Sequence, residues 1–552
     1  MATKKKSEAP AEIVAPTTES HTYDAIVIGG GHNGLVNGAY LAKAGLRTLI
    51  LEQRHLVGGA GITEELRPGF SFTTFSYALS LMRPRIVHDL ELTKHGYMPL
   101  YMATSFAAAG PDGNYERLVF GPDHDDKLRE IMRVNPRDAD AMNRYEHDIE
   151  RLVHLIKPLM EEVPINPFSD DPEDLAAVVD FFGRFKGIDK KTFHDLIRLV
   201  TGSAADFLAD YFEGELLQAY LSCSGIIGTK LGPMSPGSGL VLLYLSLGEH
   251  DGSLGSWSFH KGGNGGFTQV LARAAQSFGA EIRLNSHVSS VISSGGKAVG
   301  VALADGTEFR APVVVSALDP RRTFLDLVEP RELPTDLVDA VQRMKFQGSS
   351  AKVNFALDGL PQYPGLTGSD HLRGFINLAP SVEYLERAYD EAKYGWYSSR
   401  PFLDCSVQSI IDPDMAPPGK HVLSCFVQYA PYHLKKKDGT PGDWDVERDN
   451  FGDVVQRTLG EYFPGFDELV LQREVVTPLD IERVTGLTEG NIYAGELFAP
   501  QMYLLRPAPG YADYRTPISG YYQCGSGTHP GGCLTGAPGL LASQQILKDL
   551  RR

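Results

Sequence analysis

Cysteine is scarce: the 552 residues hold five, Cys223, Cys405, Cys425, Cys524 and Cys533, with no C-x-x-C pair among them. That count excludes a disulfide-built scaffold and fits a reducing compartment. Long apolar runs are also missing. The longest, Leu240 to Leu247, is soon broken by glycine and charge, well short of the roughly 20 apolar residues that span a bilayer. Positive charge is in deficit, with 52 Lys plus Arg against 69 Asp plus Glu and a net charge of −17, so a nucleic acid would meet a repulsive mean field. There is no H-E-x-x-H, clustered Cys/His set or EF-hand loop, and no protein-bound metal is expected. Neither a G-x-S-x-G elbow nor a P-loop occurs.

What is present is length and an ordinary globular composition, 42% hydrophobic and 22% charged. A chain this long exceeds the roughly 250–300 residues at which one core stops growing, so several cores are expected. The leader over residues 1–21 carries Lys4 to Lys6 and no apolar signal segment, and reads as a disordered tail. From Tyr23 the pattern changes. Tyr23 to Ile28 reads as a buried strand, Gly29 to Gly34 as a glycine turn, Leu35 to Ala44 as a helix, and Arg47 to Leu51 as a second strand ending at Glu52. Amphipathic helical stretches follow between about Asp125 and Leu247. A second α/β unit begins at Gly262 to Gly266, with strands expected at Ala280 to Leu284, Val288 to Ile292, Ala298 to Leu303, Glu308 to Arg310 and Val313 to Ala317. Further on, Lys352 to Leu357, Phe402 to Ser409 and His421 to Gln428 look β-like.

The strongest signal is Gly29-x-Gly31-x-x-Gly34 between a strand and a helix, with Gly38 beyond it and Glu52 closing the next strand. Glycines there let backbone N–H groups approach a pyrophosphate at the helix N-terminus, and the acid accepts from ribose hydroxyls. A second glycine turn, Gly58-Gly59-Ala60-Gly61, follows the acid. A nicotinamide enzyme has no special need of it, whereas an extended FAD must pass close to the backbone twice. FAD, bound non-covalently, is therefore the expected cofactor.

These motifs resemble the FAD-dependent group that includes amine oxidases, protoporphyrinogen oxidase and phytoene desaturases. The departure is Ala60, where many members carry arginine. The segment Gly262 to Gly266 and the ending Cys524-Gly525-Ser526-Gly527-Thr528-His529-Pro530-Gly531-Gly532 with Gly536-Ala537-Pro538-Gly539 are similar to the phytoene desaturase-like oxidoreductase family. The resemblance implies an α/β chain with a discontinuous, Rossmann-like FAD-binding domain of glutathione reductase type, a β-rich substrate domain and a helical insertion. The implied division is 22–90, 262–330 and 485–552 for the FAD domain, with 91–261 as the helical part and 331–484 as the β-rich part of the substrate domain. The implied cofactor contacts are Gly29, Gly31, Asn33, Gly34, Glu52, Gln53, Gly58, Gly59, Ala60, Thr63, Val288, Gly525, Gly527, Gly536 and Ala537.

For chemistry at the flavin, His529 inside the terminal glycine motif, His260 and Lys261 ahead of the Gly262 turn, and Arg506 among prolines are the candidate catalytic residues. Trp257, Tyr244, Tyr503, Tyr521 and Tyr522 are candidates to line a substrate channel, and Arg515 for a contact near the tail. A second G-x-G-x-x-G for a nicotinamide is absent, because Gly262 follows the polar Ser258-Phe259-His260-Lys261. Electrons are expected to leave to oxygen, a quinone or a protein. The expected function is FAD-dependent dehydrogenation or isomerisation of a hydrophobic, isoprenoid or lipid-like substrate. An amine oxidase and an FAD-containing interaction protein are the alternatives. The expected location is the cytoplasm, compatible with homo-oligomers and with peripheral membrane contact through Leu240 to Leu247.

Overall fold

The computed structural model describes residues 22–250 and 252–551, so the leader expected over 1–21 lies outside the described residues. Its first sheet has five parallel strands in the order Glu281–Arg283, Thr48–Leu51, Ala25–Ile28, Val313–Ser316, Tyr521–Gln523. The three central strands are apolar at almost every position because both faces are covered. Alternation decides which way each residue points. Ala25, Val27, Ile50, Val313 and Val315 pack under the helices His32–Lys43, Gly263–Ser277 and Ala537–Asp549. Ile26, Ile28, Leu49, Leu51 and Val314 face the antiparallel strands Val288–Ser294, Lys297–Leu303 and Glu308–Arg310. The result is a three-layer α/β unit whose strands come from widely separated parts of the chain.

A second sheet has seven strands in the order Val470–Val476, Ser350–Leu357, His421–Gln428, Phe402–Ser406, Gly374–Leu378, Thr104–Ala108, Arg117–Phe120. All neighbours are antiparallel except Gly374–Leu378 with Thr104–Ala108. One face is apolar and packs on the helix Trp444–Tyr462 through Phe451, Val455 and Leu459. The other face looks into the interior. The last two strands lie within 91–261, expected as the helical part of the substrate domain, and ahead of the helical stretches expected from about Asp125. Thr104-Ser-Phe-Ala-Ala has little β-branched character, and pairing with Gly374–Leu378 outweighs its weak local preference. The helices of that region, from His124–Val134 to Ser238–Leu245, roof the sheet. The run Leu240 to Leu247 is not available to a membrane: Val241, Leu242, Leu243, Tyr244 and Leu245 are all buried. Among the described residues, no helix is long and apolar enough to cross a membrane.

Arg506 is a structural clamp, which corrects its assignment as a catalytic residue. Its side chain is fully buried, and its guanidinium donates to the carbonyls of Tyr493 (2.8 Å), Gly495 (3.0 Å), Ser526 (3.0 Å), Gln501 (3.2 Å), Glu496 (3.3 Å) and Thr528 (3.3 Å). Burial lowers its pKa to about 10. One planar cation thereby ties the 493–501 connection to the terminal glycine motif. Arg506→Met leaves these carbonyls without their donor and should lower the unfolding free energy by about 3 kcal/mol or more. Denaturant titration reads this directly, and a change below about 0.5 kcal/mol would refute the clamp.

Candidate active site

The two glycine turns meet. Gly58 N donates to Gly30 O at 2.9 Å, and Gly31 forms a bridge with Gly58. Gly58 has φ +132, and a Cβ there would lie 2.6 Å from Gly61 O. A Cβ on Gly34 would lie 2.0 Å from Gly29 O, so only glycine lets the helix start this close to the strand. Glu52 closes the turn: Oε2 accepts from Gly30 N (2.9 Å) and Oε1 from Arg54 N (2.8 Å). Burial pushes its carboxyl above the ordinary range, and these N–H groups pull it back. Each carboxylate oxygen keeps a lone pair for a ribose hydroxyl.

These residues wall one continuous cavity of about 1020 Å³. Gly29, Gly31, Asn33, Gly34, Glu52, Gln53, Gly58, Gly59, Ala60 and Val288 all line it. So do His32, Arg54, Arg322 and Ser526, which the sequence pattern does not single out. His32 Nε2, Asn33 Oδ1, Arg54 Nη1 and Arg322 Nε are buried polar atoms without a hydrogen-bond partner among the described residues. A polar set of this kind, with the two arginines as donors and Asn33 Oδ1 as an acceptor around a backbone groove at a helix N-terminus, fits the phosphates and ribose of a dinucleotide. Arg54 was legible in principle, as the cation two residues beyond the ribose acid.

Five expected cofactor contacts sit behind the lining instead of on it. Thr63 Oγ1 accepts from Gly265 N (3.0 Å), joining the two α/β halves. Gly525 and Gly527 are packing glycines whose Cβ atoms would meet Leu318 O at 2.2 Å and Pro320 Cδ at 2.1 Å. Gly536 and Ala537 open the buried helix Ala537–Asp549, and the tail reaches the cavity through Ser526, Cys533 and Leu534.

The remaining expected catalytic residues are also elsewhere. His529 is buried, its Nε2 donates to Leu159 O (2.6 Å), and burial lowers its pKa to about 4. His260 accepts from Met98 N at Nε2 (3.0 Å), donates from Nδ1 to Lys261 O (2.7 Å), and is likewise held at about 4 by burial. Lys261 is half-exposed and paired with Asp412 and Asp414 at 2.6 Å each. None of the three lines the cavity. Of the aromatic candidates Trp257 alone lines it. Tyr244 donates to Gly532 O, Tyr503 stacks on Phe181, Tyr521 donates to Thr323 O and Tyr522 to Asp549. Arg515 is held by Asp513 and Asp549.

Away from the glycine turns, the cavity is roofed by Met142, Tyr220, Leu242 and Leu245 and floored by the seven-stranded sheet. Polar side chains stand on that floor. Asp404 Oδ2 accepts from the Tyr77 hydroxyl (2.6 Å) and Oδ1 from Asn377 Nδ2 (3.0 Å). Lys352 Nζ donates to Ser424 Oγ (2.6 Å) and stands 4.2 Å from the centre of the Tyr77 ring. Burial raises Asp404 to about 7 and lowers Lys352 to about 7. The available signal was a charged residue inside an apolar strand, in Ser-Ala-Lys352-Val-Asn and Phe-Leu-Asp404-Cys.

Comparisons with known proteins agree with this architecture. A family profile described as flavin containing amine oxidoreductase matches residues 34–547. Pyridine nucleotide-disulfide oxidoreductase domain-containing protein 2 of Mus musculus is 38% identical over 96% of this chain and 94% of its own length. A limonene dehydrogenase subunit from Castellaniella defragrans is 27% identical over 96% of this chain and 95% of its own. Among solved structures, a triply substituted putrescine oxidase shares 16% identity and superimposes with a TM-score of 0.59 over 96% of this chain and 99% of the other, a likeness of fold.

Two measurements test the site. Glu52→Gln puts an amide N–H against one of the backbone donors it now receives, and should weaken FAD binding roughly ten- to hundredfold. Titrating apoprotein with FAD reads the loss; unchanged affinity would count against Glu52. His260 and His529 take up protons more readily unfolded than folded, so their stabilisation is complete above about pH 6.5 and lost as pH falls toward 4. His529→Gln should remove about one proton from the dependence of unfolding free energy on pH in that window. An unaltered slope would sink the neutral-histidine assignment.

Proposed function

The chain belongs to the flavin-containing amine oxidoreductase family and is an FAD-dependent oxidoreductase; from this premise we propose that it dehydrogenates, or isomerises with flavin assistance, a hydrophobic small molecule. The observation that carries the reading is the continuity of the glycine-turn groove with an apolar chamber under Met142, Tyr220, Leu242 and Leu245. At about 1020 Å³ the cavity reaches the upper end of the usual range of roughly 300–1,000 Å³ for small-molecule sites, as holding a dinucleotide and a substrate together requires. The limonene dehydrogenase relative supports an alkene-bearing substrate.

FAD supplies acceptance of a hydride equivalent from a substrate C–H bond. The residues do the rest. Gly29, Gly31, Gly34, Glu52, Arg54, Gly58 and Gly59 would hold the cofactor, and the apolar roof would exclude water. Removing a second hydrogen as a proton needs a group that can be charged or neutral near pH 7. Asp404, with the Tyr77 hydroxyl on Oδ2 and the Asn377 amide on Oδ1, meets that condition. Electrons would leave to oxygen, a quinone or a protein.

Anaerobic addition of polyenes, fatty acids, terpenes and amines to the holoprotein tests the reading by bleaching of the oxidised flavin band. A polyene or other apolar alkene should bleach it, and Asp404→Asn should slow bleaching about a hundredfold or more with FAD retained. Bleaching by amines alone would replace the proposal with amine oxidation.

A further inference from the structure

The helix Pro172–Arg184 buries none of its residues, whereas the helices before and after it, Pro136–Ile156 and Lys190–Thr201, each bury a stripe. Its start is well made: Asp171 accepts from Glu173 N at 2.9 Å, Pro172 stands in the first turn, and Glu173 and Asp174 meet the positive end of the helix. Caps alone leave a helix this short marginal in water, and most helical stability comes from a packed apolar face. The body supplies part of that packing, through Phe181 stacked on Tyr503 with ring centroids 5.4 Å apart, Arg184 paired with Glu162, and Glu173 with Lys548 at 3.3 Å. The rest of the apolar face is in water. Leu175, Val179 and Phe182, at i, i+4 and i+7, are 48%, 71% and 65% exposed. A stripe of large side chains this open marks a contact surface.

Charge decides what covers it. From Asp170 to Asp180 every charged residue is acidic, Asp170, Asp171, Glu173, Asp174 and Asp180, while from Arg184 to Lys191 the charges are Arg184, Lys186, Lys190 and Lys191 against Asp189 alone. Arg184 is held by Glu162, and Lys191 by Asp148 and Asp195, whereas Lys186 and Lys190 are exposed and form no ion pair among the described residues. The stripe therefore runs from an acidic end to a basic end. An anionic bilayer would meet the acidic end, and a second copy laid parallel would set like charge on like. A second copy laid antiparallel across a two-fold axis does neither. It sets each acidic end on the other copy's basic end, sets the stripe on itself, and puts the positive N-terminus of each helix beside the negative C-terminus of the other.

We propose that two copies of this chain associate through Pro172–Arg184, packed antiparallel across a two-fold axis, with Leu175, Val179 and Phe182 of each copy between them and Asp170 and Glu173 of each near Lys186 and Lys190 of the other. Val179 lies beside the axis, and Leu175 of one copy reaches Phe182 of the second. The contact is independent of what the cavity binds. A helix of this length is about 20 Å long, so the interface is small and the association weak, with a dissociation constant in roughly the micromolar range.

Sedimentation velocity of the holoprotein from about 1 to about 200 µM tests this, and the mass should climb from that of one chain to that of two. Val179→Glu with Phe182→Glu should raise the dissociation constant roughly a hundredfold or more, with FAD content and melting temperature unaltered, because both side chains already stand in water in the single chain. Lys186→Glu with Lys190→Glu should raise it about tenfold, and adding Asp170→Lys with Glu173→Lys should restore it. Val179→Cys should cross-link to a second copy when diamide is added, since the axis brings this position against itself. A holoprotein that stays a single chain at about 200 µM overturns the proposal, as does a dimer that Val179→Glu with Phe182→Glu leaves unweakened. Failure of the charge exchange to restore affinity, or of Val179→Cys to cross-link, overturns the antiparallel arrangement. Single chains that float with phosphatidylcholine–phosphatidylserine vesicles, and cease to in Val179→Glu with Phe182→Glu, would assign the stripe to a bilayer in place of a second copy.

Discussion

The approach of two backbone turns, one after each of the first two strands, governs how the rest of the molecule is arranged. Gly58 N reaches Gly30 O, and a Cβ on Gly59 would stand 3.3 Å from the Cα of Gly31, so no side chain fits between the turns. The groove they form is walled by backbone, and what it offers a ligand is N–H groups and the positive end of a helix. Other elements are tied to the same place. Asn33 donates to Ser526 Oγ and Asn37 to Gly539 O, joining the first helix to the tail, while Thr63 holds the second glycine helix. Arg506 then fixes the tail to the connection that carries Tyr493 and Ala494 into the cavity wall. A chain whose cofactor groove draws on such distant segments needs these long-range ties, because local preference cannot bring residue 33 to residue 526.

Charge in the cavity obeys a different rule from charge on the surface. The net charge of −17 is carried largely by solvated carboxylates, whose pairs contribute little. Inside the chamber stand Lys352 and Asp404, and burial drives both toward their neutral forms. Replacing such groups by apolar residues of similar size is often neutral or stabilising, so stability alone does not explain a lysine at a central strand position.

The glycine groove was legible in the sequence because its physics is local: strand, turn, helix and acid lie within thirty residues, and each glycine answers a clash the backbone alone defines. The parallel sheet was mostly legible too, as runs such as Ala25–Ile28 and Val313–Ser316 that are buried on both faces. The strands Thr104–Ala108 and Gly374–Leu378 were not, because what makes them strands is each other. The catalytic candidates failed for a related reason. His529, His260 and Arg506 sit beside glycine motifs in the sequence, but adjacency along the chain does not fix which side of the backbone a side chain takes. All three turn into the core, where the histidines stay neutral and the arginine binds carbonyls. Lys352 and Asp404 lie far from any glycine motif and come together only through register across Phe426.

That register also bears on the cysteines. Cys405 and Cys425 are directly paired across adjacent strands with sulfur atoms 3.1 Å apart, a proximity that the length of chain between them conceals. A dithiol that exchanges electrons with a flavin must face it and must reach the thiolate form at working pH. Cys405 and Cys425 point from the floor strands toward Phe451 and Val455, away from the chamber, and burial drives the Cys405 thiol far above its ordinary range. Cys223 and Cys533 do line the cavity, but burial pushes Cys533 up to about 12 and Cys223 well above the ordinary range. The sheet that aims Lys352 and Asp404 into the chamber is the same one that turns this close sulfur pair away from it.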